Sequence, residues 1–142
     1  MRQITTTTDI EATPDRIWKV LMDFDAYPEW NPFVVGIEGT PAEGERLTVH
    51  LAPPGKKPAR FRPTVMEVSE GRAFEWLGSV WFKGVFDGRH RFEITPTETG
   101  ARFDHSERFS GILRPIVLRL IGEQTTAGFE AMNAALKERA EG

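Results

Sequence analysis

Two histidines and a glutamate are the residues best able to do chemistry in this chain. His90 lies in the run Phe86-Asp87-Gly88-Arg89-His90-Arg91-Phe92-Glu93-Ile94, and His105 and Glu107 lie in Phe103-Asp104-His105-Ser106-Glu107-Arg108-Phe109. Both runs alternate apolar and charged residues with period two, the signature of a strand with one buried face. One face of the first run carries Phe86, Gly88, His90, Phe92 and Ile94; the other carries Asp87, Arg89, Arg91 and Glu93. In the second run Phe103, His105, Glu107 and Phe109 share a face, against Arg102, Asp104, Ser106 and Arg108. The charged faces are expected in solvent, with opposite charges available across the strands. The segment Pro96–Gly100 is short enough to join the runs as a hairpin. A four-residue loop sets His90 opposite His105, and a tighter one sets it opposite Glu107. Opposite Cβ atoms are about 5 Å apart and diagonal ones about 7–8 Å in either register. The three polar side chains therefore form one patch on an apolar wall.

Such a patch supports three kinds of chemistry. A carboxylate beside an imidazole sets its tautomer and raises its basicity, which makes a general base near neutral pH. The same groups, bonded to one another or to water, orient the polar end of a ligand without reacting with it. Two His and a carboxylate are also the ligands of a facial-triad metal site, but the convergence such a site needs is not given by strand spacing. No metal and no cofactor are expected. Around the patch, Trp76, Phe86, Phe92, Phe103 and Phe109, with Leu120 and Phe129 from a later helix, are the expected apolar walls.

Other residues carry weaker signals. His50 alternates onto a polar strand face and is expected to be exposed. Lys56, Lys57, Arg60 and Arg62 form a basic run around a loop, read first as a solvated hairpin tip and second as a site for an acidic partner or head group. Trp81 and Phe82 line a pocket or simply pack. Tyr27 and Trp30 are placed at one end of the core, where they could gate an entrance. Arg114 and Arg119 flank an apolar helical stripe, the make-up of a membrane-surface helix as well as of an ordinary core helix.

These residues need elements to hold them. Residues 3–12, rich in Thr and Ile, open with a strand. Thr13-Pro14 starts a helix over 14–24, Thr13 as cap and Pro14 where a missing N–H costs nothing. Residues 25–32 are turn-rich, with two prolines and room for one short helix. Short strands follow over 33–38, 46–52, 61–68, 73–78, 84–95 and 101–110, with a Pro/Gly/Lys loop over 53–58. No helical pattern separates them, so one antiparallel sheet is expected. Leu113, Ile116, Val117, Leu120, Ile121, Phe129, Met132 and Leu136 then recur at helical spacing, giving a final amphipathic helix of more than twenty residues. Gly111 and Pro115 suit its start. Gly122 and Gly128 inside it mark a kink or a close approach to the backbone. One face of the sheet must be covered, and the long helix is the cover available.

Composition excludes several classes. At 142 residues, a single domain over 1–142 is expected, large enough for a core without staples. There are no cysteines, hence no disulfides, thiolate metal sites or Cys nucleophile. Eighteen Lys and Arg against 21 Asp and Glu leave a net charge of −3, unlike a general nucleic-acid binder. Ten Phe against one Tyr favour apolar interior surface over a polar recognition face. The N-terminus lacks an apolar signal core, and Ile112–Ile121 is too short and too charged to span a bilayer, so a cytoplasmic location is expected. No G-x-G-x-x-G, P-loop, H-E-x-x-H or G-x-S-x-G occurs, so neither a nucleotide cofactor nor zinc-protease or serine-hydrolase chemistry is predicted.

Residues 10–18 (IEATPDRIW) and 21–32 (LMDFDAYPEWNP) resemble the opening of the polyketide cyclase/dehydrase and lipid-transport family of the START-like, helix-grip (SRPBCC) superfamily. Residues 61–65 (FRPTV), 74–76 (FEW) and 105–111 (HSERFSG) are similar to it as well, so the likeness covers nearly the whole chain. The resemblance implies an α+β helix-grip fold: a strongly curved antiparallel sheet of about seven strands, in the order β-α-α-β6-α, gripping the C-terminal helix around a deep apolar cavity. It implies a lipid, polyketide or aromatic ligand, and it carries no family-wide catalytic motif. The expected function is binding of a small hydrophobic or amphipathic ligand, with His90, His105 and Glu107 at its polar end. The alternative is a cofactor-free cyclase or dehydratase in which one of the histidines takes a proton α to a carbonyl and Glu107 orients it. The expected partner is the small ligand, with no nucleic acid and no membrane span.

Overall fold

The structure is a computed structural model that describes residues 3–80 and 83–142. The tryptophan and phenylalanine read above as pocket or packing residues, Trp81 and Phe82, lie outside the described residues. The Thr-rich opening forms strand β1 (Gln3–Ile10), and helix α1 (Pro14–Met22) follows. Thr13 caps α1 as its type predicts: its backbone is extended, and its Oγ1 accepts from the Arg16 N–H at 3.1 Å. The turn-rich segment holds a 3₁₀ turn over Phe24–Ala26 and a one-turn helix α2 (Tyr27–Trp30). Asn31 then accepts from the amides of Phe33 and Val34 with its Oδ1, at 3.0 and 2.9 Å, and so turns the chain into the sheet.

Eight strands are found among the described residues: β1, β2 (Val34–Glu38), β3 (Thr48–Leu51), β4 (Ala59–Phe61), β5 (Thr64–Ser69), β6 (Ala73–Val80), β7 (Phe86–Thr97) and β8 (Gly100–Ser110). They form two antiparallel ladders, β1-β8-β7-β6-β5 and β2-β3-β4, where one sheet was expected. The difference arises at Pro63. The predicted strand over 61–68 is broken there, because proline has no N–H to give to a ladder. Its first part pairs with β3 and its second with β6. Backbone bonds from Leu47 N to Pro63 O (2.9 Å) and from Val65 N to Glu45 O (2.8 Å) stitch the ladders together at this corner. The result is the curved sheet of a helix-grip fold, wrapped on helix α3 (Arg114–Glu141).

Helix α3 is one unbroken helix of 28 residues. Its buried face is Leu118, Gly122, Gly128, Phe129, Met132, Asn133, Leu136 and Ala140. This corrects the stripe expected from the sequence. At about 100° per residue, Leu120 points about 200° away from Leu118, and Leu120 and Ile116 are 65% and 62% exposed. Gly128 marks a close approach, not a kink: a Cβ built on it would collide with the Phe33 ring. The C-terminal turns are held to the N-terminal elements by Lys137 Nζ on Asp9 O (2.8 Å), Glu11 N–H on Glu141 (2.8 Å) and Arg16 on the Arg139 carbonyl (3.1 Å). On the outer face of the sheet Arg91 reaches Glu93 on its own strand, Glu75 on β6 and Glu67 on β5. Toward β8 it faces Ser106, while Arg89 faces Arg108 and Glu93 faces Asp104, so the opposite charges expected across the last two strands come from β5 and β6 instead. Asp87 departs from it: it is only 8% exposed and accepts from the Gly84 amide.

Gly128→Ala gains about 1 kcal/mol of helix propensity but forces a methyl group into Phe33, at an overpacking cost of about 1–3 kcal/mol. The variant is expected to unfold at lower urea concentration than the parent. A raised midpoint would show that Phe33 does not press on the helix.

Candidate functional site

The tight turn decides the register of the last hairpin. Thr97 pairs with Gly100, leaving Glu98-Thr99 as the loop, so His90 faces Glu107 and Phe92 faces His105. This is the tighter of the two pairings that the sequence allows, and it brings the three polar side chains together. His90 Nδ1 lies 3.2 Å from Glu107 Oε1, and His90 Nε2 lies 2.7 Å from His105 Nε2. His105 Nδ1 is 2.9 Å from Asn133 Oδ1 on α3. Asn133 Nδ2 donates to Thr6 Oγ1 on β1 at 2.7 Å, and that hydroxyl donates to the His105 carbonyl at 3.2 Å. One line of hydrogen bonds therefore crosses the core from β8 through β7 and α3 to β1.

Aromatic rings enclose this line. Trp76 stacks on His90 at 4.7 Å between centroids, and Phe129 stacks on His105 at 3.9 Å. His105 is wholly buried, His90 is 3% exposed, and the Glu107 side chain is 20% exposed. Burial pushes the His105 imidazole well below its ordinary pKa; the adjacent His90 pushes the same way, and the bond to Asn133 opposes them. Gly88, opposite Phe109 on the same face, is where Glu107 finds room: a Cβ built there would collide with Glu107 Oε2.

Beside Glu107 lies a cavity of about 580 Å³ between the sheet and the N-terminal half of α3. Trp76, Phe86, Phe109, His90 and Glu107 line it from the sheet. Phe33, Val49, Leu51, Phe61 and Pro63 add the second ladder's side, and Val117, Ile121, Gln124 and Thr125 the helix side. Lys56, Lys57 and Ala59, all exposed, form a rim that opens to solvent. Of the seven wall residues expected above, Trp76, Phe86 and Phe109 lie on this cavity. Phe92, Phe103 and Phe129 do not; each is at most 1% exposed, and they pack around the His105 ring inside the core. Leu120 is excluded by its outward direction on α3.

His105 is likewise kept from the cavity by its bonds to His90 and Asn133. Glu107 is the charged group of the trio that reaches the open space. Sequence reasoning missed Asn133 and Thr6. The available signal was Asn133 itself, an amide beside Met132 on the inward face of an apolar helix stripe. It also read Lys56 and Lys57 as a solvated loop tip; they are exposed, and they also form the rim.

The remaining candidates have structural places. His50 is partly exposed and bonded to Glu38 at 3.1 Å. Arg60 and Arg62 are exposed. Tyr27 is fully buried, its hydroxyl donating to the Leu21 carbonyl at 2.7 Å and its ring edge-on to Trp30. Among the described residues, no group of three or more His, Cys, Asp or Glu is placed to hold a metal ion, and no helix is long and apolar enough to cross a membrane.

Comparison with known proteins agrees with this geometry. The family described as polyketide cyclase/dehydrase and lipid transport matches residues 1–141. No functionally curated protein matches the sequence. Protein MLL2253 of Mesorhizobium loti superposes with a TM-score of 0.75 at 19% identity, covering 97% of this chain and 96% of that one. A START superfamily protein of Mycobacterium smegmatis does so with a TM-score of 0.73 at 22% identity, covering 99% and 98%. A point mutant of norcoclaurine synthase from Thalictrum flavum, in complex with a transition-state analogue, gives 0.73 at 17% identity over 98% and 93%. At these identities the likeness carries the fold alone.

The depressed basicity of His105 has a definite sign. The folded ring stays neutral while the unfolded one takes a proton near its ordinary pKa of about 6.5. The His105 contribution to stability is therefore full above that pH and shrinks as pH falls below it, by at most about 1.4 kcal/mol per pH unit for one proton. In an NMR titration of the folded protein, the His105 ring is expected to titrate well below its ordinary value, with no midpoint near neutral pH. A midpoint near the ordinary value would contradict its burial as a neutral ring.

Proposed function

Because the chain belongs to the polyketide cyclase/dehydrase and lipid-transport family, we propose that its cavity holds a small hydrophobic or amphipathic molecule of lipid, polyketide or aromatic type. The observation that carries this reading is the make-up of the 580 Å³ space: aromatic and aliphatic walls, with one His–carboxylate pair on the sheet side. A ligand pocket of this size commonly combines a mostly apolar lining with a few polar groups that fix orientation. Trp76, Phe86, Phe109, Val117 and Ile121 bury the ligand's body, and Glu107 meets its polar group. His90 orients Glu107 from behind, and His105 holds His90. Lys56 and Lys57 stand where the ligand enters.

A second reading, a cofactor-free cyclase or dehydratase, is favoured by the contact of Glu107 with both the cavity and His90. In that reading Glu107 moves the substrate proton. Neither histidine does so directly, because the nitrogens of each are taken up by the hydrogen-bonded line.

Native mass spectrometry of freshly purified protein, followed by organic extraction, is expected to release one apolar molecule at near one-to-one ratio. An empty protein that also takes up none of a panel of fatty acids, polyketides and aromatics would sink the binding reading. Glu107→Gln is expected to keep the fold and change which ligand is preferred. In the enzymatic reading it lowers turnover by about 10²–10⁴-fold, the usual effect of losing a general acid or base. A substrate turned over equally by parent and variant would eliminate that role.

A further inference from the structure

The line of hydrogen bonds can be read as a count of protons. Thr6 spends its hydroxyl proton on the His105 carbonyl, so it accepts from Asn133, and the amide of Asn133 must face it. That turns Asn133 Oδ1 toward His105. An amide oxygen only accepts, so His105 Nδ1 carries a proton. The contact between the two Nε2 atoms, at 2.7 Å, needs a proton of its own, and so does the contact from His90 Nδ1 to Glu107. Otherwise two lone pairs face each other inside the core, where an unmade hydrogen bond is costly.

We infer that the chain Glu107–His90–His105 holds one proton more than a carboxylate and two neutral imidazoles carry. Its polar end is then neutral in total, and its open acceptor, Glu107 Oε2, accepts a hydrogen bond from a hydroxyl or phenol of the ligand. The location of the extra proton follows from burial. His105 is enclosed and disfavours charge, so its Nε2 accepts and His90 Nε2 donates. The extra proton is then shared between His90 Nδ1 and Glu107 Oε1, beside the cavity. With that proton on Nδ1, His90 donates from both nitrogens and Glu107 accepts with Oε1, an ion pair. Both His90 nitrogens are occupied, which leaves Glu107 Oε2, above Gly88, as the acceptor of this chain that a ligand can reach.

Asn133 and Thr6 act here as positioning residues. With the amide of Asn133 reversed, the line from His105 to Glu107 could be made with one proton fewer, at the cost of the Thr6 bond to the His105 carbonyl, and the cavity would meet a net negative charge. The side chain of one helix residue thus sets the charge of a site on the opposite strands.

The ligand half of this inference rests on the cavity reading given above; the proton count does not. Nitrogen-15 NMR of histidine-labelled, ligand-free protein at about pH 7.5 reads the count directly. The expected pattern is His105 protonated at Nδ1 and bare at Nε2, with His90 protonated at both nitrogens. Asn133→Leu should abolish this fixed tautomer pair. His90 bare at Nδ1, or the reverse pattern with His105 protonated at Nε2 and His90 bare there, would overturn the count.

The ligand class is tested separately by titrating 2-naphthol and 2-methoxynaphthalene. The naphthol is expected to bind at least about tenfold more tightly, since its ether leaves the carboxylate unpaired. Equal binding would overturn the donor preference and leave the cavity reading standing. No binding of either, with the expected NMR pattern, would overturn the ligand class while the count survives.

Discussion

A buried pair of imidazoles must have all its nitrogens satisfied, and much of the structure follows from that constraint. His90 and His105 lie in a core of phenylalanine rings, where an unpartnered polar atom costs about 1–3 kcal/mol. Their partners come from three directions: Glu107 from β8, Asn133 from α3 and, through Asn133, Thr6 from β1. Sheet and helix are therefore joined by directional bonds as well as by packing. Directional bonds set the rotation of α3 more narrowly than an apolar stripe alone, since hydrophobic contact has no preferred direction. The absence of a Cβ at Gly88 belongs to the same arrangement, because it lets Glu107 lie across β7 and still meet His90.

Helix α3 serves two purposes along its length. Its C-terminal half carries Phe129, Met132, Leu136 and Ala140 into the core and is tied to β1 and α1 at its end. Its N-terminal half stands over the cavity with Val117, Ile121, Gln124 and Thr125. Packing stability and ligand space are thus separated along one element. The hydrogen-bonded line marks the division between them. It is the last polar layer before the solid core on one side and the first polar surface met by an incoming molecule on the other.

The helix-grip fold is shared with proteins so different in sequence that their activities do not transfer. What this chain's own residues bring to the fold is the content of the cavity wall. A carboxylate supported by an imidazole, in front of a second imidazole held by an amide, is a specific chemical statement in an otherwise apolar space. The two proposed readings, binding and proton transfer, both draw on it, and they differ in whether the proton at Glu107 moves during the encounter.

Much of this was legible in the residues. The Thr13-Pro14 helix start and the alternation that places His90, His105 and Glu107 on one inward face follow from local periodicity and capping. Each depends on neighbours within a few positions, which is the range over which sequence pattern is informative. The family resemblance supplied the curvature and the cavity. The remainder is long-range. Whether His90 faces Glu107 or His105 hung on one residue of loop length. Leu120 reads as part of an apolar stripe, but only packing shows that the helix turns Leu118 inward and Leu120 out. Phe92, Phe103 and Phe129 are as apolar as Phe86 and Phe109, and nothing local distinguishes a ring in the solid core from one on a cavity wall. The bond from His105 to Asn133 links residues 28 apart, and that from Asn133 to Thr6 links residues 127 apart. Such contacts are set by how sheet and helix meet, so the residue types were given by the sequence and their partners by the tertiary structure.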